Sequence, residues 1–346
     1  MAAAKRNDVI DALRGVAIIL VLIFHYTVRY TPPRWPTDLY GFDHVFDARL
    51  ALGRYGVHIF FVISGLVITM TALRAKSALD FAVKRVARII PALAVAALIT
   101  LAICQFGPPD LRRTPLDFLA TFTFMPDKLG REYVDGVYWS LSIEMRFYAW
   151  VAASALILGR RFWMGLLVPA ALSLFITSGA VSWFLIVSYW PFFFLGMAIW
   201  YALFERERIP AVVLGLAGAG LLFFRGEHWL EPPSVLLVSA LMAALLMREP
   251  RLFVLPWIGR ISYSLYLIHN VIGVILIGAL TRAGAPDLVA IAVAVALMIL
   301  ASWVLFERVE GPGQRLVLRA YNAARVRWSG PPAPAAVSAA ADPEGR

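Results

Sequence analysis

The chain has one cysteine, Cys104, in 346 residues. No intramolecular disulfide can form, so the fold does not depend on oxidation. Charge is scarce as well, at 16% Asp, Glu, Lys and Arg, against roughly 25% in a soluble domain. No glycine-rich phosphate loop of the Walker type occurs, which removes the familiar nucleotide hydrolases. There is no Gly-x-Ser-x-Gly elbow, because Val62 stands before the Ile63-Ser64-Gly65 step, and this removes the common serine hydrolase geometry. None of the five histidines pairs with another at close helical spacing, and a lone cysteine completes no ligand set, so no metal site is expected.

What the chain does contain is apolar length. Hydrophobic residues make up 61%, mean hydropathy is +0.75, and apolar runs recur from Val16 to Leu305. A helix crosses a bilayer with roughly 20 mostly apolar residues. On that measure the chain reads as an all-α polytopic integral membrane protein of about ten transmembrane helices. They fall at 8–28, 55–73, 86–106, 136–158, 163–179, 182–203, 210–225, 234–247, 256–280 and 287–306. The segment 115–125 is too short to cross and is expected to lie at the interface or dip into the protein. Lys5 and Arg6 before the first run imitate a signal peptide. Asp8, Asp11 and Arg14 interrupt its start and no small-residue cleavage site follows Tyr26, so a retained first span is expected.

The net charge of +10 sits mainly in short connections, so membrane topology and anionic lipid account for it, and no nucleic-acid partner is expected. Arg74, Lys76, Lys84, Arg85 and Arg88 follow the second span. Arg160 and Arg161 follow the fourth, Arg206 and Arg208 the sixth, Arg248 and Arg251 the eighth, and Arg308 to Arg327 the last. All lie on one side if both termini are cytoplasmic. Residues 1–320 read as one membrane domain. Residues 321–346 read as a basic, then Pro/Ala-rich, disordered cytoplasmic tail.

Ionisable residues inside spans are costly and face a cavity or a partner. In the first span Arg14 and His25 are eleven residues apart, close to three helical turns, so they share a face about 16 Å apart along the axis. Asp11 lies one turn below Arg14. The plain reading is a snorkelling arginine and a packing histidine. In the fourth, GVYWSLSIEMRFYAW, the i, i+4 series Ser140, Glu144 and Tyr148 shares a face, and Arg146 points elsewhere. The plain reading is a structural ion pair. In the ninth, RISYSLYLIHN, Ser262, Tyr266 and His269 form a stripe with Tyr263 and Asn270 beside it, which interhelical hydrogen bonding would also use. At the entry to the third, Arg85 and Arg88 lie one turn apart, and a paired guanidinium face suits phosphate.

Taken together, IDALRGVAIILVLIFHY, GVHIFFVISGLVIT, VKRVARIIPAL, VYWSLSIEMRFY, ISYSLYLIHN and FERVEGPG, in this order, resemble acyltransferase family 3 from Ile10 to about Pro312. These are multi-span enzymes that acylate carbohydrates and other extracytoplasmic acceptors. The Arg–ten residues–His pattern falls on Arg14 and His25, the Arg-x-x-Arg on Arg85 and Arg88, and the acid of the fourth motif on Glu144. Many relatives follow that acid with Glu-Gln, where this chain has Met145 and Arg146. Some carry a fused esterase-like domain, which is not expected here.

The resemblance implies an O-acyltransferase of the bacterial inner membrane with no permanently bound cofactor and acyl-CoA, first of all acetyl-CoA, as co-substrate. The acceptor would be a hydroxyl of a cell-envelope or exported carbohydrate. It implies His25 as general base with Glu144 orienting it, and Arg14, Arg85 and Arg88 as donor-binding cations. Asp11, Ser64, Ser140, Tyr266, His269 and Asn270 would supply acceptor or oxyanion support, with Ser64 also open as a covalent nucleophile. The competing class is a transporter or flippase for a sugar or lipid-linked solute, which would also place His, Glu and Arg at membrane depth. Acceptor identity, acyl length and oligomeric state are not legible in the residues.

Overall fold

Inside a bilayer no water satisfies the backbone, so a chain this apolar must bond each N–H and C=O to itself, which a helix does segment by segment. The computed structural model describes residues 8–32, 34–42, 45–176, 178–225, 231–248, 250 and 253–329. Among the described residues the regular structure is helical, with no strand. Helix α1 (Asp8–Thr27) is followed by a 3-10 stretch, Ala48–Tyr55, that runs directly into α2 (Gly56–Arg74). Then come α3 (Ala78–Cys104), the short α4 (Pro115–Thr121), and α5 (Trp139–Leu158) with α6 (Phe162–Phe175). A short α7 (Gly179–Phe184) precedes α8 (Trp190–Trp200), which a π-helical turn extends to Glu205. The rest are α9 (Arg208–Arg225), α10 (Glu231–Arg248), α11 (Val254–Arg282), α12 (Asp287–Leu305) and, after a π-helical turn over Phe306–Glu310, α13 (Gly311–Ser329).

Six helical stretches are long and apolar enough to cross a membrane: Asp8–Thr27, Ala48–Arg74, Ala78–Cys104, Gly136–Phe175, Val254–Arg282 and Asp287–Arg325. The fourth contains two of the expected spans, α5 and α6, joined over Gly159–Arg161. Three further apolar helices, Trp190–Glu205, Arg208–Phe224 and Pro232–Arg248, occupy expected segments but are shorter. The expected ten crossings are thus represented by six full-length candidates and these shorter helices.

Two expectations change locally. The span expected at 182–203 is split into α7 and α8, with Ile186 at φ 46° and Ser188 at φ 81° between them. Pro191 accounts for the restart, since it lacks an N–H, suits the first turn of a helix and disfavours helical backbone before it. The segment 115–125 holds only α4, closed at its start by a capping box between Thr114 and Asp117. Helix α13 carries the chain past residue 320 to Ser329. The Pro/Ala-rich stretch 330–346 lies outside the described residues, as do Lys5, Arg6 and Arg251.

Without a hydrophobic drive between helices, close packing of small residues decides which helices meet. A Cβ on Gly259 of α11 would overlap the carbonyl of Asp11 in α1, and a Cβ on Gly196 of α8 would overlap that of Val62 in α2. These two contacts bring α1 against α11 and α2 against α8. Gly259→Leu therefore has to force α1 and α11 apart. It is expected to destabilise by about 1–3 kcal/mol or more, read as a lower melting temperature by tryptophan fluorescence in detergent. Gly220→Ala, where an added Cβ meets nothing within 4 Å, should leave the melting temperature unchanged or slightly raised.

Candidate active site

The helical spacing of the polar residues becomes a cavity where α1, α2, α3, α5 and α11 converge. It has a volume of about 100 Å³ and is lined by Arg14, Ser64, Arg85, Arg88, Ser140, Glu144, Tyr148, Ser262, Tyr263 and Tyr266, among others. The expected α5 face is present in full, as Ser140, Glu144 and Tyr148 all reach the cavity. Glu144 Oε1 accepts a hydrogen bond from Ser64 Oγ at 2.6 Å and another from Tyr148.

The three arginines differ in their partners. Arg88 forms an ion pair with Glu310, whose other oxygen accepts from Ser264 Oγ at 2.7 Å. Glu310 is 2% exposed and sits in the FERVEGPG stretch, to which no chemical role was attached. Arg14 Nη1 lies 3.5 Å from Asp11 Oδ1, and Asp11 is also 4.0 Å from Arg260 Nε. Asp11 does not line the cavity and serves instead as a counter-charge at the base of α1. Arg85 forms no ion pair among the described residues, its Nε is buried without a partner, and its guanidinium lies 5.9 Å from the Tyr148 ring. Of the paired guanidinium face, Arg85 has no direct ion pair among the described residues and meets the Glu144 carboxylate only across the cavity, through Tyr148.

His25 and His269 stand apart from the cavity and against each other. Their ring centroids are 5.0 Å apart, edge to face. His25 Nδ1 is 2.9 Å from the Val21 carbonyl, and His269 Nδ1 is 2.9 Å from the Tyr266 carbonyl. A carbonyl only accepts, so each Nδ1 bears the proton and each Nε2 bears the lone pair. His269 Nε2 is buried with no hydrogen-bond partner. Tyr266 connects the two regions: its ring is 5.6 Å from that of His269, and its hydroxyl is 2.7 Å from Ser140 Oγ at the cavity wall.

Two expected contacts are corrected. Glu144 does not orient His25. The imidazole reaches one turn back to its own helix, while Glu144 is engaged by Ser64 and Tyr148. Asn270 does not offer its amide to the cavity. Its Oδ1 accepts from Tyr30 at 2.9 Å and its Nδ2 donates to Asp135 Oδ1 at 2.6 Å.

Asp135 is the residue that the sequence reading missed. It is fully buried, and its second oxygen accepts the Val271 N–H at 3.0 Å. The Leu267 carbonyl, four residues before Val271, accepts from the Tyr138 hydroxyl at 2.9 Å. Asp135 and Tyr138 thus engage the donor and the acceptor of one helical i→i−4 pair. They fix α11 on both sides of His269. Burial pushes the Asp135 carboxyl above the usual carboxylate range, opposed by the Val271, Asn270 and Val137 donors. Its only sequence signal is an Asp-Gly step before the fourth span, which reads equally as a turn.

With this geometry in hand, the comparisons with known proteins are specific. A family described as an acyltransferase domain matches residues 7–307. An O-acetyl transferase of Shigella phage Sf6 is 30% identical over 193 residues, covering 51% of this chain and 54% of that protein. The putative membrane-bound transacylase BcsY of Komagataeibacter xylinus is 27% identical over 306 residues, covering 77% of this chain and 72% of its own length. Nodulation protein 10 of Rhizobium leguminosarum bv. viciae is 35% identical over 124 residues, 30% of this chain and 33% of that one. The chain thus spans about half the length of the phage protein. No solved structure matches it.

Asp135→Asn sets an amide N–H against at least one of the three donors, the Val271 N–H in the better orientation. It is expected to cost about 1–3 kcal/mol through unsatisfied buried groups, seen as a lower melting temperature. If His269 works in the reaction, kcat falls in the same variant by more than KM for the acyl donor changes.

Proposed function

The chain belongs to acyltransferase family 3, and from that premise we propose that it moves a short acyl group from acyl-CoA to a hydroxyl of an envelope or exported carbohydrate. The observation that carries this reading is the pairing of an arginine-lined cavity with an Nε2-basic histidine pair, joined by Tyr266. Arg85 suits a donor phosphate, because its buried Nε has no partner and its guanidinium has no direct ion pair among the described residues. A cavity of about 100 Å³ is smaller than the roughly 150 Å³ space that holds benzene in a protein core. That favours acetyl over a long acyl chain. The basic connections gather at the end of the bundle where α1 begins, so that end is assigned to the cytoplasm and the membrane to the bacterial inner membrane.

In the proposed reaction the acceptor oxygen attacks the thioester carbonyl while His25 Nε2 takes its proton. The carbon–oxygen bond forms, the carbon–sulfur bond breaks, and the imidazolium returns the proton to the departing sulfur. The Val21 carbonyl stabilises the imidazolium by holding Nδ1–H, the part usually given to a carboxylate. The paired Tyr266 and Ser140 hydroxyls would supply donors to the tetrahedral oxygen by turning away from the Val137 carbonyl.

A second route is favoured by one contact, the hydrogen bond from Ser64 to Glu144. Ser64 Oγ would attack the thioester, pass its proton to Glu144 and release the thiol, and the acceptor hydroxyl would then displace Ser64. Intact-mass measurement after a quenched reaction with acetyl-CoA separates the routes. Direct transfer predicts no acetyl adduct and residual turnover in Ser64→Ala. The covalent route predicts an adduct that Ser64→Ala abolishes along with turnover.

The overall reading is tested with wild type and His25→Ala in nanodiscs and labelled acetyl-CoA. Loss of a general base is expected to lower transfer to an acceptor by about 10²–10⁴-fold, with folding retained by size-exclusion profile. Acetyl-CoA untouched by both proteins, together with solute flux in vesicles, would establish the transporter class instead.

A further inference from the structure

A second pocket, of about 530 Å³, opens beside α7 and the turn that follows it. It lies where α5 begins, the end opposite the one assigned to the cytoplasm. Its wall includes Lys128, Arg146, Ser182, Trp183, Ile186 and Tyr189. Arg146 is seven residues past Trp139 in α5, about 10 Å along the helix. A cation at that depth needs compensation. Its Nε donates to the Ser142 carbonyl at 3.0 Å, one Nη donates to the Trp183 carbonyl, and its guanidinium carbon lies 4.1 Å from the Trp183 ring centroid. These partners are neutral; the one carboxylate acting on Arg146 is Asp127, beyond ion-pair distance, and among the described residues Arg146 forms no ion pair. Lys128 adds a second cation, held only by the exposed neighbour Asp127 at 3.7 Å, a weak surface pair.

The same wall carries backbone strain. Ile186 is β-branched and Ser188 is not glycine, yet both have positive φ, a conformation that persists where the surroundings enforce it and that clusters at binding sites. The wall also adjoins the first cavity. The Tyr189 ring packs 5.3 Å from Phe61 and 5.8 Å from Trp139, and Phe61 lines the cavity that holds Glu144.

We propose that this pocket binds an anionic saccharide, a sugar carrying a carboxylate or phosphate, as the acceptor to be acylated. Arg146 and Lys128 pair with the anion. The Trp183 and Tyr189 rings give apolar faces for the sugar ring's C–H surface, and Ser182 gives a hydroxyl for its polar edge. The inference rests on the acyltransferase reading for what happens after binding, but binding itself is measured without it.

The test uses the full chain in phosphatidylcholine nanodiscs and follows tryptophan fluorescence with three probes: an oligogalacturonate, glucose 1-phosphate and a neutral cello-oligosaccharide. At least one charged probe should bind about tenfold or more tighter than the neutral one, the size of one charge-assisted bond. That preference should shrink with added NaCl, vanish in Arg146→Gln and weaken in Lys128→Gln. Arg146→Lys, which keeps the charge, should retain part of it and covers the case in which the glutamine variant fails to fold. Equal response to all three probes, or none, overturns the proposal. So does loss of the preference in phosphatidylglycerol nanodiscs, which would make the pocket a lipid headgroup site. Acetyl transfer by wild type without charge preference removes this site and leaves the acyltransferase reading standing. Arg146-dependent binding with no acetyl-CoA turnover does the reverse.

Discussion

The contact between the backbones of α1 and α11 decides where both histidines stand. Gly259 lies so close to the Asp11 carbonyl that no side chain fits between the two helices there. They run on side by side for about three to four turns. At the other end Tyr26 donates to the His269 carbonyl at 2.7 Å, and His25 meets His269 ring against ring. Van der Waals contact at a glycine is thus converted, along two stiff helices, into the spacing of two imidazoles. Each imidazole is then held by a carbonyl of its own helix, so its tautomer is set locally and only its distance from its neighbour depends on the fold.

Around this pair the charges divide into those the protein neutralises and those it leaves for something else. A buried cation without a counter-charge carries a large desolvation cost. Arg88 has Glu310, Arg14 has Asp11 and Lys84 has Asp80. Arg85 and Arg146 have no carboxylate within ion-pair distance among the described residues, and each lines a pocket. The first faces the cavity with Glu144, and the second faces the pocket beside α7. An anionic donor at one and an anionic acceptor at the other would complete the charge pairing on two different faces of α5.

The sequence was informative wherever a single helix carries the pattern. The Ser140, Glu144, Tyr148 stripe and the Arg85, Arg88 face reach one cavity because i, i+3 and i, i+4 residues share a side whatever the helix packs against. What stayed illegible depends on residues far apart in the chain. Arg88 and Glu310 are 222 positions apart, and Asp135 and Asn270 are 135 apart. No periodicity records such pairings. The error about Glu144 had the same origin, since a histidine and a carboxylate on different helices invite pairing until a nearer carbonyl is seen to hold the imidazole. The α7–α8 break was legible in principle, because Trp190-Pro191 is a local stop, but the surrounding apolar run concealed it.

The separation between the cavity and the histidine pair constrains the chemistry. Arg85 and His25 cannot act on the same atom if the cavity holds Arg85, Glu144 and Ser64 while His25 lies outside its wall. In the proposed reaction, a donor anchored by its phosphates would have to extend its thioester past Tyr266 to meet the imidazole. Tyr266 is buried, and its hydroxyl is shared between Ser140 Oγ at 2.7 Å and the Val137 carbonyl at 3.0 Å. Val137 is two residues after Asp135, the carboxylate that fixes α11 around His269. The loop before α5 thus holds the aromatic partition and the second imidazole together. In the proposed reaction, a substrate that shifts that loop would move both, so entry of the acyl group and alignment of the imidazole would go together.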